Sequence, residues 1–428
     1  MEYPINAPLK AARIRGSFLA NRRRRRIGVR VCSFPDQHGR VSQSYRFRIL
    51  RDDRARCAIR AIAIAGCSGH DAPLAMTHHA ASSHYLLAWS LMRCIFAFQI
   101  CLVHLSAPLW HIDDIGWMAE ATYIAIGRTG TVGFMMLAGA ILIARAQEKP
   151  ASYLAARLRR WLPSFAIAQA LYIAARAFFD QATLGHLTWW DALSPAAPHL
   201  WFFYALLSIY VVVVPMRHYA IWIDGLAPAR RRVAMWAPVA ALLTASAVIT
   251  SLGGFWGDLR PINFLFYLGF AWVGYALWAT FPAGSLAGLP LLLGGVALSV
   301  LATVAVSDDL GRTVPYMNHR CSVFTIAGAM GQFLLLLRIA ALAHSPALIR
   351  RVHGVAGLTL GIFIVHPLLI LLSLWQAWAP TLEPGEWFVL PVATLLLFAA
   401  SGAVAWLATQ TARRLSGGLR AVWSEQRA

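Results

Sequence analysis

Charge is scarce in this chain, and negative charge is scarcest: 13% of its residues are charged, with 18 Asp and Glu against 38 Lys and Arg. Soluble domains carry about a quarter charged residues, so an ordinary soluble protein is excluded. The apolar segments hold no clearly central Asp or Glu, which counts against a proton- or sodium-coupled carrier. The six cysteines, Cys32, Cys57, Cys67, Cys94, Cys101 and Cys321, form no CxxC pair and no metal-binding spacing, so no metal site is expected. Cys94 and Cys101 stand on one helix where their sulfurs cannot readily meet, and they read as small apolar packing residues. There is no internal repeat and no inserted soluble domain. Alternating apolar patterning is absent too, which removes a transmembrane β-barrel.

What the chain has in abundance is apolar length. Hydrophobic residues make up 59% of it, and a helix needs about 20 of them in succession to cross about 30 Å of hydrocarbon. From Leu86 onward about ten such windows occur, near 86–108, 122–144, 161–179, 199–215, 234–252, 262–280, 287–306, 321–339, 355–374 and 387–409. Long apolar runs in lipid must be helical, because only helices and closed barrels satisfy their backbones there. An all-α, polytopic, multi-pass integral membrane protein of about ten spans is therefore expected.

Loop charges set the orientation, since cytoplasmic loops accumulate Lys and Arg. With the N-terminus inside, the inside loops hold Arg145, Lys149, Arg157, Arg159, Arg160, Arg217, Arg230 to Arg232, Arg338, Arg350 and Arg351, and the tail adds Arg413, Arg414, Arg420 and Arg427; the outside loops hold Arg260, Arg312 and Arg320. This imbalance predicts N-in and C-in. The formal charge of +20 is thus no nucleic-acid footprint. Much of it sits in residues 1–75, and the remainder follows the same inside bias.

Two domains are expected: a basic, disordered extension over 1–85 and a membrane domain over 86–428. The extension, including "NRRRRRIGVR", has neither a periodic apolar face nor signal-peptide order. Met76 is the expected translation start, because "MTHHAASSHYLLAWSLMR" leads directly into the first span. A genuine basic tail resting on anionic lipid is the alternative.

The first span, "LMRCIFAFQICLVHL", carries Arg93 and His104. Eleven steps of 100° amount to about three turns plus 20°, so both side chains share a face, about 16 Å apart along the axis. Ionisable residues in a span are costly and generally face a cavity, a pathway or a partner. Snorkelling accounts equally for Arg93, and bonding to a neighbouring helix for His104; their common face favours a joint role.

The spacing of Arg, ten residues and His resembles the first span of the acyltransferase-3 family, membrane enzymes that acylate sugar hydroxyls of surface glycans and related compounds. Further stretches agree in order: "TVGFMMLAGAILI", with Met135 and Ala138 in place of a Phe and a Ser; "YLAARLRRWLPSF", with Arg157, Arg160 and Pro163; "HLWFFYALLSIYVVVVP", with His199, Trp201 and Pro215; "NFLFYLGFAWVGYAL"; and "LGIFIVHPLLI", with His366 and Pro367. The resemblance runs from about Trp89 to the end.

It implies an O-acyltransferase of a bacterial inner membrane, most simply one moving acetyl from acetyl-CoA, as co-substrate, to a hydroxyl of a cell-envelope polysaccharide or lipid-linked saccharide, with no bound cofactor, nucleic acid or obligate protein partner. Such a reaction needs a base, donors for the developing oxyanion and a cradle for the donor's phosphates. His104 suits the base, since imidazole moves protons near neutral pH. Arg93 suits the acyl donor, and Arg157 with Arg160, on one side of a helix, suit the phosphates of acyl-CoA. His199, Trp201 and His366 are candidates for orienting substrate, though anchoring and packing explain them as well. Asp113, Asp114 or Glu120 can orient His104 or simply be solvated in a loop. A secondary transporter or flippase for an envelope precursor is the rival reading.

Overall fold

A computed structural model describes residues 83–107, 117–144, 150–179, 195–251, 260–310, 317–343, 345–373, 375 and 385–425. Residues 1–82 of the expected disordered extension, with the Met76 start, Cys32, Cys57 and Cys67, and also Asp113 and Asp114, lie outside the described residues, while residues 83–85 of that extension are helical. All that is described lies in a single compact unit, Asp71–Ala428.

Every regular element there is helical: α1 (Ser83–Ser106), α2 (Trp117–Ala144), α3 (Pro150–Phe179), a 3₁₀ turn (Pro198–Leu200), α4 (Trp201–Asp224), α5 (Pro228–Ser251), α6 (Arg260–Thr280), α7 (Gly288–Leu310), α8 (Val323–Leu342), α9 (Pro346–Ala356), α10 (Thr359–Leu372) and α11 (Glu386–Glu425). Seven are long and apolar enough to cross a membrane, and α9 with α10, bent by 54° at their junction, form an eighth candidate. The windows expected near 161–179 and 262–280 fall within α3 and α6, which lie outside that count.

Burial sorts the helices into a centre and a rim. About 67% of the best apolar window of α2 is buried, against 22% for α5, α7 and α11. The rim helices turn Val248, Leu298, Leu301, Leu395 and Leu396 outward, as expected where the surrounding solvent is itself hydrocarbon. At the centre, α2 packs against α1, α4, α6, α7 and α8. Association in lipid relies on close backbone approach at small residues, and α2 meets α6 that way. A Cβ on Gly139 would strike the backbone of Ala271, and one on Gly274 the backbone of Met136.

Polar ties lock the centre. Gln99 Nε2 donates to Thr129 Oγ1 at 3.1 Å, and Thr129 Oγ1 donates to Gln332 Oε1 at 2.8 Å, joining α1, α2 and α8. Arg217 donates from α4 to the carbonyl of Ile143 on α2 at 3.1 Å, and Asp224 pairs with Arg231 at 2.9 Å. Helix α9 lies across the start of α1, where Ser90 Oγ and His353 Nδ1 are 2.8 Å apart. Its exposed Arg350 and Arg351 explain why it turns away from the apolar direction of α10.

Candidate active site

Helix α1 connects two cavities. One, of about 240 Å³, has Arg93 and Arg157 on its wall together with Phe134, Phe202, Tyr210 and Phe363. The other, of about 660 Å³, is bordered by His104, Tyr172, Arg176, His199 and Pro367. Arg93 and His104 thus open into different spaces, one at each.

Three imidazoles gather at the larger cavity. The His104 ring centre lies 5.1 Å from that of His366 and 6.0 Å from that of His199, and His199 and His366 are 5.9 Å apart. They come from three separate segments, and each is held locally. His104 sits near the last turn of α1, whose end is fixed where Trp375 Nε1 donates to the Leu105 carbonyl at 2.9 Å.

His199 belongs to the short 3₁₀ turn before α4, in "PAAPHLW". Pro198 occupies a first-turn position, where its missing N–H costs nothing. Ala197 is extended at φ −140°, and the Ala196 N–H donates to Gln169 Oε1 on α3 at 2.8 Å. The ring packs edge-on against Tyr172, 4.7 Å between centres, and Tyr172 Oη donates to the Ile364 carbonyl at 2.7 Å.

His366 is fully buried in α10. Its Nδ1 lies 3.0 Å from the Ile362 carbonyl, which can only accept, so Nδ1 carries the proton and Nε2 presents a lone pair. That Nε2, like Nε2 of His199, is buried without a hydrogen-bond partner. A buried polar atom left unpaired costs about 1 to 3 kcal/mol. Two in one place mark a site rather than a packed interior.

No Asp or Glu among the described residues lines the histidine cavity. Glu120 is buried near the start of α2 and stands apart from that lining. Nor does any group of three His, Cys, Asp or Glu side chains that could hold a metal ion occur among the described residues, the three histidines included, whose rings meet tilted or edge-on.

A layer of phenyl rings lies between the cavities. Phe363 borders the arginine cavity, and its ring centre is 5.4 Å from that of His199 and 6.1 Å from that of His366. Phe202 lies 5.2 Å from Phe363, and Phe134 lies 5.9 Å from Phe202.

Among the residues singled out from sequence, His104, His199 and His366 come together, and Arg93 shares a cavity with Arg157. Arg160 is exposed and borders neither space. Trp201 is also elsewhere: its ring stacks on Tyr267 at 5.0 Å with the Arg320 guanidinium 4.5 Å above it. Three residues of the site carried signals that the sequence reading passed over. Phe363 stands one turn before His366 and so shares its face. Tyr172 is one helical turn from Arg176. Arg176 is a cation at the far end of a span from Arg157 and Arg160.

The loop before α8 holds Arg320 between His319 and Cys321. Burial, reinforced by the Arg320 and Arg128 guanidiniums, lowers His319 to about 2. Burial pushes the Cys321 thiol up to about 12.

Compared with known families, the chain matches the acyltransferase-3 model, described as an acyltransferase domain, over residues 86–409. No curated protein and no solved structure matches it.

Proposed function

The chain belongs to the acyltransferase-3 family and is a membrane acyltransferase, and from that premise we propose that it moves an acetyl group from cytoplasmic acetyl-CoA to a hydroxyl of an envelope saccharide. The observation that carries this reading is the pair of cavities on α1, a cationic one at Arg93 and Arg157 and an imidazole one at His104 and His199, with the buried His366 packed against both rings. The setting is a bacterial inner membrane, N-in and C-in.

The arginine cavity takes the donor. Guanidinium keeps its charge and grips phosphate or carbonyl oxygens through paired N–H bonds. Arg160, exposed one turn from Arg157, extends that grip to the diphosphate outside the cavity.

The histidine cavity takes the acceptor. His366, with its Nδ1 proton committed to the Ile362 carbonyl, offers Nε2 as an acceptor for an N–H of His104. That fixes the second nitrogen of His104 as the base. It takes the proton of the sugar hydroxyl as the oxygen attacks the thioester carbon; the C–S bond breaks, and the CoA sulfur leaves and is protonated. His199 holds the acceptor from the other wall, and Trp201, two residues on, fixes the start of α4 rather than touching sugar. General-base assistance contributes about 100- to 10,000-fold.

The test follows labelled acetyl from acetyl-CoA into glycan in membranes carrying wild type, His104→Ala or Arg93→Ala at equal expression. His104→Ala should lose at least about 100-fold in transfer. Wild-type transfer by His104→Ala would overturn the assignment.

A further inference from the structure

The histidine cavity has a mouth of one sign. Among the described residues that line it, Arg176, in the last turn of α3, is the sole charged side chain, and none of them is a carboxylate. The side chain is exposed and makes no ion pair or hydrogen bond among the described residues. Its position also runs against the loop bias that gathers cations at the other end of the helices. A lone cation over an apolar-walled cavity focuses its field on whatever enters.

In the wall of the same cavity, His199 is 3% exposed and its Nε2 lacks a partner. That nitrogen is placed to meet a polar group of a ligand. The cavity therefore offers the imidazoles of His104 and His199, Tyr172 on its wall and the Arg176 guanidinium, with no carboxylate among the described residues that line it to repel an anion.

We propose that the acceptor is an anionic saccharide, one bearing a carboxylate or a phosphate, and that Arg176 binds this group while a neighbouring hydroxyl meets His104. The proposal rests on the acyltransferase reading above and deepens it by naming the acceptor's chemical class. Carboxylate and phosphate oxygens both match the guanidinium fork.

The experiment uses the full chain in nanodiscs with three fluorescent oligosaccharides of equal length: a uronic-acid oligomer, its neutral hexose counterpart, and the neutral oligomer carrying a terminal phosphate. Binding is read by thermophoresis and transfer by label from acetyl-CoA. At least one anionic probe should bind about tenfold more tightly than the neutral one, a preference that Arg176→Gln erases and Arg176→Lys largely keeps. In transfer, Arg176→Gln should raise KM and leave kcat nearly unchanged. The uronate and phosphate arms identify which oxyanion is read. His104→Ala should keep the binding preference while losing transfer. Arg176-dependent binding without transfer in wild type would refute the acyltransferase reading and leave the anionic ligand standing. Equal binding of all three probes, no binding of any, or a preference that survives Arg176→Gln would overturn the proposal.

Discussion

At the scale of single residues, the chemistry depends on how His366 is held. Its Nδ1–H is spent on the Ile362 carbonyl, so Nε2 faces its neighbours as an acceptor, and His104 is the nearest ring, 5.1 Å away between centres. Replacing His366 with Phe would keep the volume and remove the acceptor. Transfer should fall about 10- to 100-fold in kcat with little change in KM for acetyl-CoA, the size of effect seen when an orienting partner is lost. Equal kcat in the variant would show that His366 only packs. In the loop before α8, Cys321 is buried with its thiol raised to about 12. A thiol this far above neutral pH holds almost no thiolate, so maleimide at pH 7 should leave Cys321 unmodified in the folded protein and label it after denaturation, as peptide mass spectrometry would show. The three histidines were legible in the sequence because each is an ionisable group in or beside an apolar run. Their meeting was not, since it joins segments more than 90 and 160 residues apart. Trp201, a candidate beside His199 for orienting substrate or for anchoring, has its ring against Tyr267 and under Arg320.

At the scale of helices, α2 is the element on which the others are mounted, and its contact with α6 is the tightest. Gly139 and Gly274 each sit against backbone of the facing helix, so an added side chain cannot be relieved by a rotamer change. Gly274→Val should therefore cost at least the upper end of the about 1 to 3 kcal/mol typical of overpacking, and it should appear as lost monodisperse protein or a lowered melting temperature in detergent. Gly294→Ala is the control. A Cβ there meets nothing within 4 Å, so the helix-propensity gain of up to about 1 kcal/mol should leave stability unchanged or raised. The positions of most helices could be read from apolar length alone, because lipid makes that signal strong. The break between α9 and α10 could not. The window began at 355, one residue before the end of α9, since the preceding Arg350, Arg351 and His353 dilute the apolar signal while still forming a helix pinned to Ser90.

At the scale of the whole molecule, the two cavities and the phenyl layer between them suggest a reaction that runs across the membrane. Phe363 touches both sides, bordering the arginine cavity and packing on His199. Phe363→Ala should open the layer to water, and acetyl-CoA hydrolysis without acceptor should rise several-fold above wild type, measured as free thiol released. Phe363→Leu should stay close to wild type. The central claim is that donor and acceptor enter from opposite faces, and sealed vesicles test it most directly. Labelled acetyl-CoA, which does not cross the bilayer, is supplied outside either inverted or right-side-out vesicles containing acceptor glycan. Transfer is expected only in inverted vesicles, with the labelled glycan on the lumenal face. Equal transfer in both orientations, or label on the same face as the acetyl-CoA, would contradict the account.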